Sequence, residues 1–328
     1  MKNTQICYFI KNSPPGVALT GKEIQLGKEI HENINEFMLP INYKNTPFFI
    51  TKKFFGYDIY RWKVELVLGS VSQKGRYDIY LSEKNIKSDV YLNETAEKQK
   101  KAFWGIVKKG AIVIVEFGHI YQIANSGGDL KNTYSYPCNH QNGEMHKRRP
   151  AIVVSADKNG VKIVPITSQI PDSYPDNKGV FKLNKLSTEY INEFSIDKES
   201  YVLCEMIQTI SPTRILPPYS RNRKTNLFFR DQSYTKKIIR SDVWELEEAL
   251  LSSIGLPLLR KEHLENKNKI DELKLQNSQY ENDLGAVTQK YVELEKKFAT
   301  LKQLYIGAEG CLSESEVDNE INEYLAID

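Results

Sequence analysis

Cysteine is scarce in this chain: four residues of 328, Cys7, Cys138, Cys204 and Cys311, lie far apart without paired spacing. That pattern excludes a disulfide framework and suits a reducing compartment. An excess of one charge sign is also missing, because 45 Lys and Arg stand against 42 Asp and Glu for a formal net charge of +3. Such a balance by itself points to no particular partner. No uninterrupted apolar run approaches membrane length, and the N-terminus lacks the order of charged, apolar and small residues that marks a signal peptide. The expectation is a cytoplasmic protein with no membrane association. Metal-ligand spacing is lacking too. Cys138, His140 and His146 have neither a fourth ligand nor the paired spacing of zinc sites, so no metal and no cofactor is expected.

What is present is a globular composition, 40% hydrophobic and 27% charged, in a chain long enough for two domains. The first part, residues 1–104, reads as a small α+β module of unknown role. Within it, Leu26, Ile30, Ile34 and Phe37 have the spacing of one helical face over residues 20–38. The runs Phe48-Phe49-Ile50, Tyr57-Asp58-Ile59-Tyr60 and Val64-Glu65-Leu66-Val67-Leu68 then read as two to four strands. Aromatics of this kind suit either a core or a base-stacking surface, and the core is the commoner use. Residues 93–107 read as a helix that hinges this module to the second domain.

In the middle of the chain, Arg149-Pro150-Ala151-Ile152-Val153-Val154-Ser155 and Val161-Lys162-Ile163-Val164-Pro165-Ile166-Thr167-Ser168-Gln169 flank Asp157-Lys158-Asn159-Gly160. The pattern predicts a hairpin closed at Asn-Gly. The charged loop Glu144-Met145-His146-Lys147-Arg148 feeds its first strand, and Thr167 and Ser168 leave its second, so the two can meet above one sheet edge. Residues 118–149 read as a long polar loop that is mobile without a partner. Further on, Arg221, Arg223, Lys224, Arg230, Lys236, Lys237 and Arg240 interleave with Phe228 and Phe229. Cations neutralise phosphates and rings stack bases, which suits a nucleic-acid strand, although a solvated hairpin has the same composition.

Asp242 is placed to cap a helix with Glu245 three residues on, whose buried face is Val243, Leu246, Leu250 and Ile254. Over residues 257–306, Ile270, Leu273, Asn277, Tyr280, Leu284, Val287, Tyr291, Leu294, Phe298, Leu301 and Tyr305 alternate in steps of four and three, the pattern of a coiled coil. Such a helix pairs with a second copy or folds back on its own chain. The acidic tail, residues 307–328, carries a capping-box pattern at Ser313 and Glu316, with Val317, Ile321 and Leu325 at helical spacing.

Taken with Lys109-Gly110-Ala111-Ile112-Val113-Ile114-Val115, Val202-Leu203-Cys204-Glu205-Met206-Ile207-Gln208 and Arg214-Ile215, the hairpin resembles the PemK/MazF family of toxin endoribonucleases over residues 105–256. The resemblance implies an α+β fold: a small SH3-like β-barrel with a closing helix, here preceded by the α+β module and followed by the coiled-coil helix. It also implies a homodimer, through the barrel, the coiled coil or both. It implies cleavage of single-stranded RNA to a 2′,3′-cyclic phosphate and a 5′-hydroxyl, in a toxin-antitoxin or defence setting with an acidic antitoxin as partner. The acidic tail could fill the same groove as an intramolecular mimic of RNA.

Such cleavage needs a group to take the 2′-hydroxyl proton, one to supply a proton, and one to stabilise a crowded anion. Arg149 and Thr167 occupy the family's catalytic positions, the first as a fork for phosphate oxygens and the second as a hydrogen-bond donor. Glu144 is the nearby carboxylate for the base. His146, Lys147, Arg148, Ser168, Gln208, Arg221, Arg223 and Lys224 are the expected RNA contacts. Without the resemblance, Arg149 could equally pair with Glu205, Thr167 close a turn and Glu144 face solvent. Two other functions stay open: a non-catalytic barrel that binds nucleic acid or protein with a coiled-coil assembly arm, and a toxin aimed at a protein such as gyrase.

Overall fold

Steps of four residues between apolar side chains satisfy a period of two as well as one of 3.6, and residues 20–38 take the extended form. The computed structural model describes residues 3–11, 18–41, 47–70, 73–84, 89–125, 127, 129–221, 225, 227–310 and 313–326. It opens with β1 (Asn3–Ile10), β2 (Ile24–Glu32) and β3 (Glu36–Pro40), so the expected helix is two strands, with Leu26 packed on the core at a break in the β1–β2 register and Ile30 exposed. After them come β4 (Phe48–Thr51), β5 (Arg61–Gly69) and β6 (Arg76–Glu83), with Tyr57-Asp58-Ile59-Tyr60 outside any strand. The five-stranded sheet runs β2-β1-β6-β5-β4. Phe48, Trp62, Tyr77 and Leu81 lie in its buried core, which is the use made of these aromatics.

The helix expected over residues 93–107 is broken into α1 (Leu92–Gln99) and α2 (Phe103–Ile106), because Lys100 turns left-handed (φ 51°) at the end of α1. Next come β7 (Ile112–Glu116), β8 (Tyr121–Asn125) and β9 (Leu130–Lys131). β8 and β9 lie inside the stretch expected to be a mobile loop, and β8 pairs with β3 while β9 pairs with β8. This segment thus finds its partner on a strand of the N-terminal half. The hairpin is β10 (Arg148–Asp157) and β11 (Gly160–Thr167). Its register sets Asp157 opposite Gly160, so Lys158 and Asn159 form the turn, and Asn159 N–H donates to the Asp157 carboxylate at 2.7 Å. Gly160 (φ 153°) is needed for space: a Cβ there would sit 2.8 Å from Thr209 Cγ2 and 3.1 Å from the Ile210 carbonyl oxygen.

The remaining elements of this half are β12 (Val180–Lys182), α3 (Lys185–Thr188), β13 (Tyr201–Leu203), β14 (Gln208–Ile210), β15 (Ile215–Leu216), β16 (Tyr219–Arg221), β17 (Phe228–Arg230) and α4 (Arg240–Ser253). Their main sheet runs β12-β13-β11-β10-β7-β15, with β14 also on β11. Among the described residues no pairing joins the ends of that path, so the closed barrel expected for residues 105–256 is an open, bent sheet in a mixed α and β unit. The bend has local causes. The β10–β11 register breaks between Val153 and Ser155, and β11 gives residues 161–163 to β14 but residues 166–167 to β13.

Both faces of this sheet are covered, which explains the continuous apolar runs. Val113, Val115, Ala151, Val153 and Ile163 pack with Leu92 and Tyr234 on one side. Ile112, Ile152, Val164 and Ile166 pack with Leu246 and Ala249 of α4 on the other. Asp242 does not cap α4, which starts two residues earlier at Arg240. Instead it lies buried and accepts hydrogen bonds from the Ser187 hydroxyl and the Asn184 N–H, while Ser187 Oγ accepts from Ile239 N at 2.9 Å. Ile254, expected on the buried face, is exposed.

The chain divides into two compact units, Met1–Pro257 and Leu258–Asp328. The second holds α5 (Leu259–Glu309), one unbroken helix, and α6 (Glu314–Leu325), which begins with the Ser313 and Glu316 capping box. Most of the apolar row on α5, from Ile270 to Leu294, is exposed. Near its C-terminal end, Val317 of α6 is buried, a groove runs between Phe298, Leu301, Tyr305, Ile321 and Tyr324, and Lys302 pairs with Asp318 (2.7 Å) and Glu314 (3.5 Å).

Candidate active site

The start of β10 is held by a tight backbone crossing. Lys147 is left-handed (φ 73°), its N–H donates to the Gly118 carbonyl at 2.6 Å, and its carbonyl accepts from Phe117 N–H at 3.0 Å. From that pivot β10 starts with Arg148 and Arg149, and the two guanidiniums meet very different surroundings.

Arg148 lies opposite Glu116 of β7. Its Nε donates to Glu116 at 2.7 Å and its Nη2 to Asp89 at 2.9 Å. Glu116 also takes Arg61 at 2.6 Å, while Asp89 takes Arg230 at 3.1 Å, and Arg230 reaches Glu193 at 3.4 Å. Three guanidiniums and three carboxylates therefore alternate in one chain of contacts from β5 through β7 and β10 to β17 and residue 193. Burial pushes the Asp89 and Glu116 carboxyls up, but the guanidiniums beside them outweigh it and hold both below the usual carboxylate range. Arg148, expected as an RNA contact, has its charge committed within this network.

Arg149 has no carboxylate partner among the described residues. Its Nε donates to the His146 carbonyl at 3.1 Å, and burial pulls its pKa below the usual guanidinium range. Glu205, the alternative partner, is exposed and lies against Gly179. Thr167, the last residue of β11, is half-buried, and its Oγ1 accepts from Gln169 N–H at 3.2 Å. The hydroxyl proton is left to donate elsewhere.

These two side chains line one cavity of about 310 Å³ with Arg148, Ser168, Glu193, Ser195 and Lys198 among its other walls. Glu193 is the cavity's one carboxylate and was not anticipated. Both of its oxygens accept from Tyr219 N–H, at 3.0 and 2.9 Å. Burial raises its pKa above the usual range, and the Tyr219 N–H and the nearby Arg230 only partly offset that rise. It follows Ile191, which bridges to Ser220 and folds residues 192–200 toward the end of β11. No motif marks that return; the one sequence signal is a carboxylate between apolar residues, Ile191 and Phe194.

The other expected site residues lie elsewhere. Glu144 and Gln208 line a separate cavity of about 440 Å³ with Met145, Met206 and His140. The exposed Glu144 carboxylate accepts from Gln141 N–H at 3.0 Å and lies 3.4 Å from His140 Nδ1. His146 sits in the turn between the two cavities, with Nδ1 3.1 Å from the Glu144 carbonyl, and burial lowers its pKa. Burial also lowers Lys147, with Arg149 adding to the effect. Arg221 is exposed at the end of β16, and Arg223 and Lys224 lie outside the described residues. Among the described residues no group of three or more His, Cys, Asp or Glu side chains is arranged to hold a metal ion.

Residues 133–227 match the family of PemK-like, MazF-like toxins of type II toxin-antitoxin systems. The chain thus carries a PemK/MazF-family segment, which spans β10 to β16 and contains Arg149, Thr167 and Glu193. Among solved structures, Mycobacterium tuberculosis toxin MazF-mt6 is similar at 15% identity over 34% of this chain and 92% of that one, with a TM-score of 0.23. No curated protein matches the chain. No helix among the described residues is long and apolar enough to cross a membrane.

Proposed function

We infer that the chain is an endoribonuclease that cuts single-stranded RNA by transesterification, without a metal, as a toxin whose partner is an acidic antitoxin. The observation that carries this reading is that Arg149 and Thr167 line the same cavity, with the Arg149 charge unclaimed by any carboxylate among the described residues. In that cavity the scissile phosphate takes the Arg149 fork on its non-bridging oxygens and the Thr167 hydroxyl as a further donor. Glu193, not Glu144, takes the 2′-hydroxyl proton, since it shares the cavity and its raised pKa makes it the stronger base. The 2′-oxygen bonds to phosphorus as the bond to the 5′-oxygen breaks, leaving a cyclic phosphate and an alcohol. The Lys198 ammonium is the cavity's donor to that departing oxygen.

The exposed apolar row of α5 supports a homodimer formed by pairing with a second copy. The apolar side of α6 and two of its acids are taken up by α5, which favours a separate acidic chain as inhibitor over the tail. The test is incubation of the purified full chain with mixed-sequence RNA in EDTA, beside Arg149→Ala. Fragments ending in cyclic phosphate are expected from the first and none from the second. Equal cleavage by both, or none by either, would remove the assignment.

A further inference from the structure

A second cavity, of about 350 Å³, opens within the first unit where the N-terminal sheet meets β7 and the turn before β15. That volume falls in the range of small-ligand pockets, about 300–1,000 Å³. Its walls combine flat rings with polar groups. Phe49 and Tyr121 contribute rings, and His119 stacks on Phe48 with centroids 4.4 Å apart. His119 Nε2 accepts from Phe49 N–H at 3.3 Å, and burial lowers its pKa to about 4, so the ring is neutral and carries its proton on Nδ1. Arg61 lies over the Phe49 ring at 5.3 Å and donates to Tyr91 Oη at 2.7 Å, which fixes that hydroxyl.

One cation in this lining is uncommitted. Arg214 is exposed and has no carboxylate partner among the described residues, unlike Arg61, which Glu116 neutralises. Gly118 lets the wall close: a Cβ there would fall 2.6 Å from His140 Nε2. The cavity also backs directly onto the candidate active site. Glu116 lines this cavity and grips Arg148, which lines the other, so the two are separated by a single ion pair.

Flat aromatic walls, a fixed hydroxyl and one free guanidinium beside a phosphodiester site match the chemistry of a nucleotide. We propose that this cavity holds one unpaired base of the bound RNA strand, stacked on the rings, with Arg214 on the adjoining phosphate. The N-terminal sheet then acts as a base-selecting wall for the strand cut next door. The proposal rests on the reading of the chain as an RNA-binding nuclease.

The probes are fluorescein-labelled 2′-O-methyl decamers of A, C, G and U, which cannot be cut because the attacking oxygen is methylated. Binding to the full chain is read by anisotropy. Arg214→Ala is expected to weaken the tightest decamer about ten-fold and to reduce the slope of log affinity against log salt by about 0.7. Thr51→Trp, which fills the cavity from an exposed strand end, is expected to lose about five-fold and to level the preference among the four decamers. Unchanged affinity and unchanged ranking in both variants, or no binding of any decamer by the parent chain, would overturn the proposal. A parent chain that binds with these sensitivities but never cuts natural RNA would refute the nuclease reading alone. Cutting of natural RNA with both variants binding like the parent would refute only the base pocket.

Discussion

The first two residues of β10 carry the same side chain in opposite states. Arg148 is locked between Asp89 and Glu116, in a chain of charges that joins the N-terminal sheet to the sheet behind the site. Arg149 instead donates to a backbone carbonyl, has no carboxylate partner among the described residues, and lines a cavity with Thr167. Burying paired charges adds little net stability, yet removing one partner is costly because the others are left uncompensated. A half-buried cation with no counter-ion is instead a source of instability that an anionic ligand relieves. On the proposed function, the difference separates a residue that builds the site from one that acts in it.

That contrast can be broken most directly at the two arginines. Arg149→Ala should lower RNA cleavage by about 10³-fold with a melting temperature no lower than the parent's, whereas Arg148→Ala should destabilise the fold by about 3 kcal/mol in denaturant titrations. Glu193→Gln should slow single-turnover cleavage by about 10²-fold. In the parent chain the acid limb of the rate profile should lie above the usual glutamate range, because a raised pKa keeps Glu193 protonated to higher pH. Thr167→Val should cost about ten-fold and Thr167→Ser much less, since only the hydroxyl donor matters. Glu144→Gln should change the rate by less than about two-fold; a loss matching that of Glu193→Gln would return the base to Glu144.

A separate prediction concerns acid stability. His119 titrates near 4 when folded against an ordinary 6.5, so folding favours its neutral form. Its contribution is fully present above 6.5 and is lost as pH falls from 6.5 toward 4. The lowered Asp89 and Glu116 add to the loss below the usual carboxylate range. The denaturation midpoint should therefore decline through this window, and His119→Asn should flatten its upper part.

The hairpin, β7 and α4 were legible because their apolar runs and turn residues are local signals. So was the meeting of Arg149 with Thr167, although there the family resemblance supplied the pairing. What was not legible depends on contacts distant in sequence. Four-residue spacing could not distinguish the β2 strand from a helix, and the polar stretch 118–149 gave no hint that β8 would find β3. Arg148 and Arg149 are identical in the sequence, and only Glu116 and Asp89, brought in from 32 and 59 residues away, tell them apart. Glu193 was hidden for the same reason, since its place depends on a fold-back held by Ser220 and Tyr219.

The most direct test of the division between the two arginines is guanidinium rescue of cleavage, measured with one RNA in EDTA. Added guanidinium should restore activity to Arg149→Ala, by filling the phosphate grip, and should do nothing for Arg148→Ala beyond its effect on stability. Rescue of Arg148→Ala instead, or full activity of Arg149→Ala without any additive, would contradict the account.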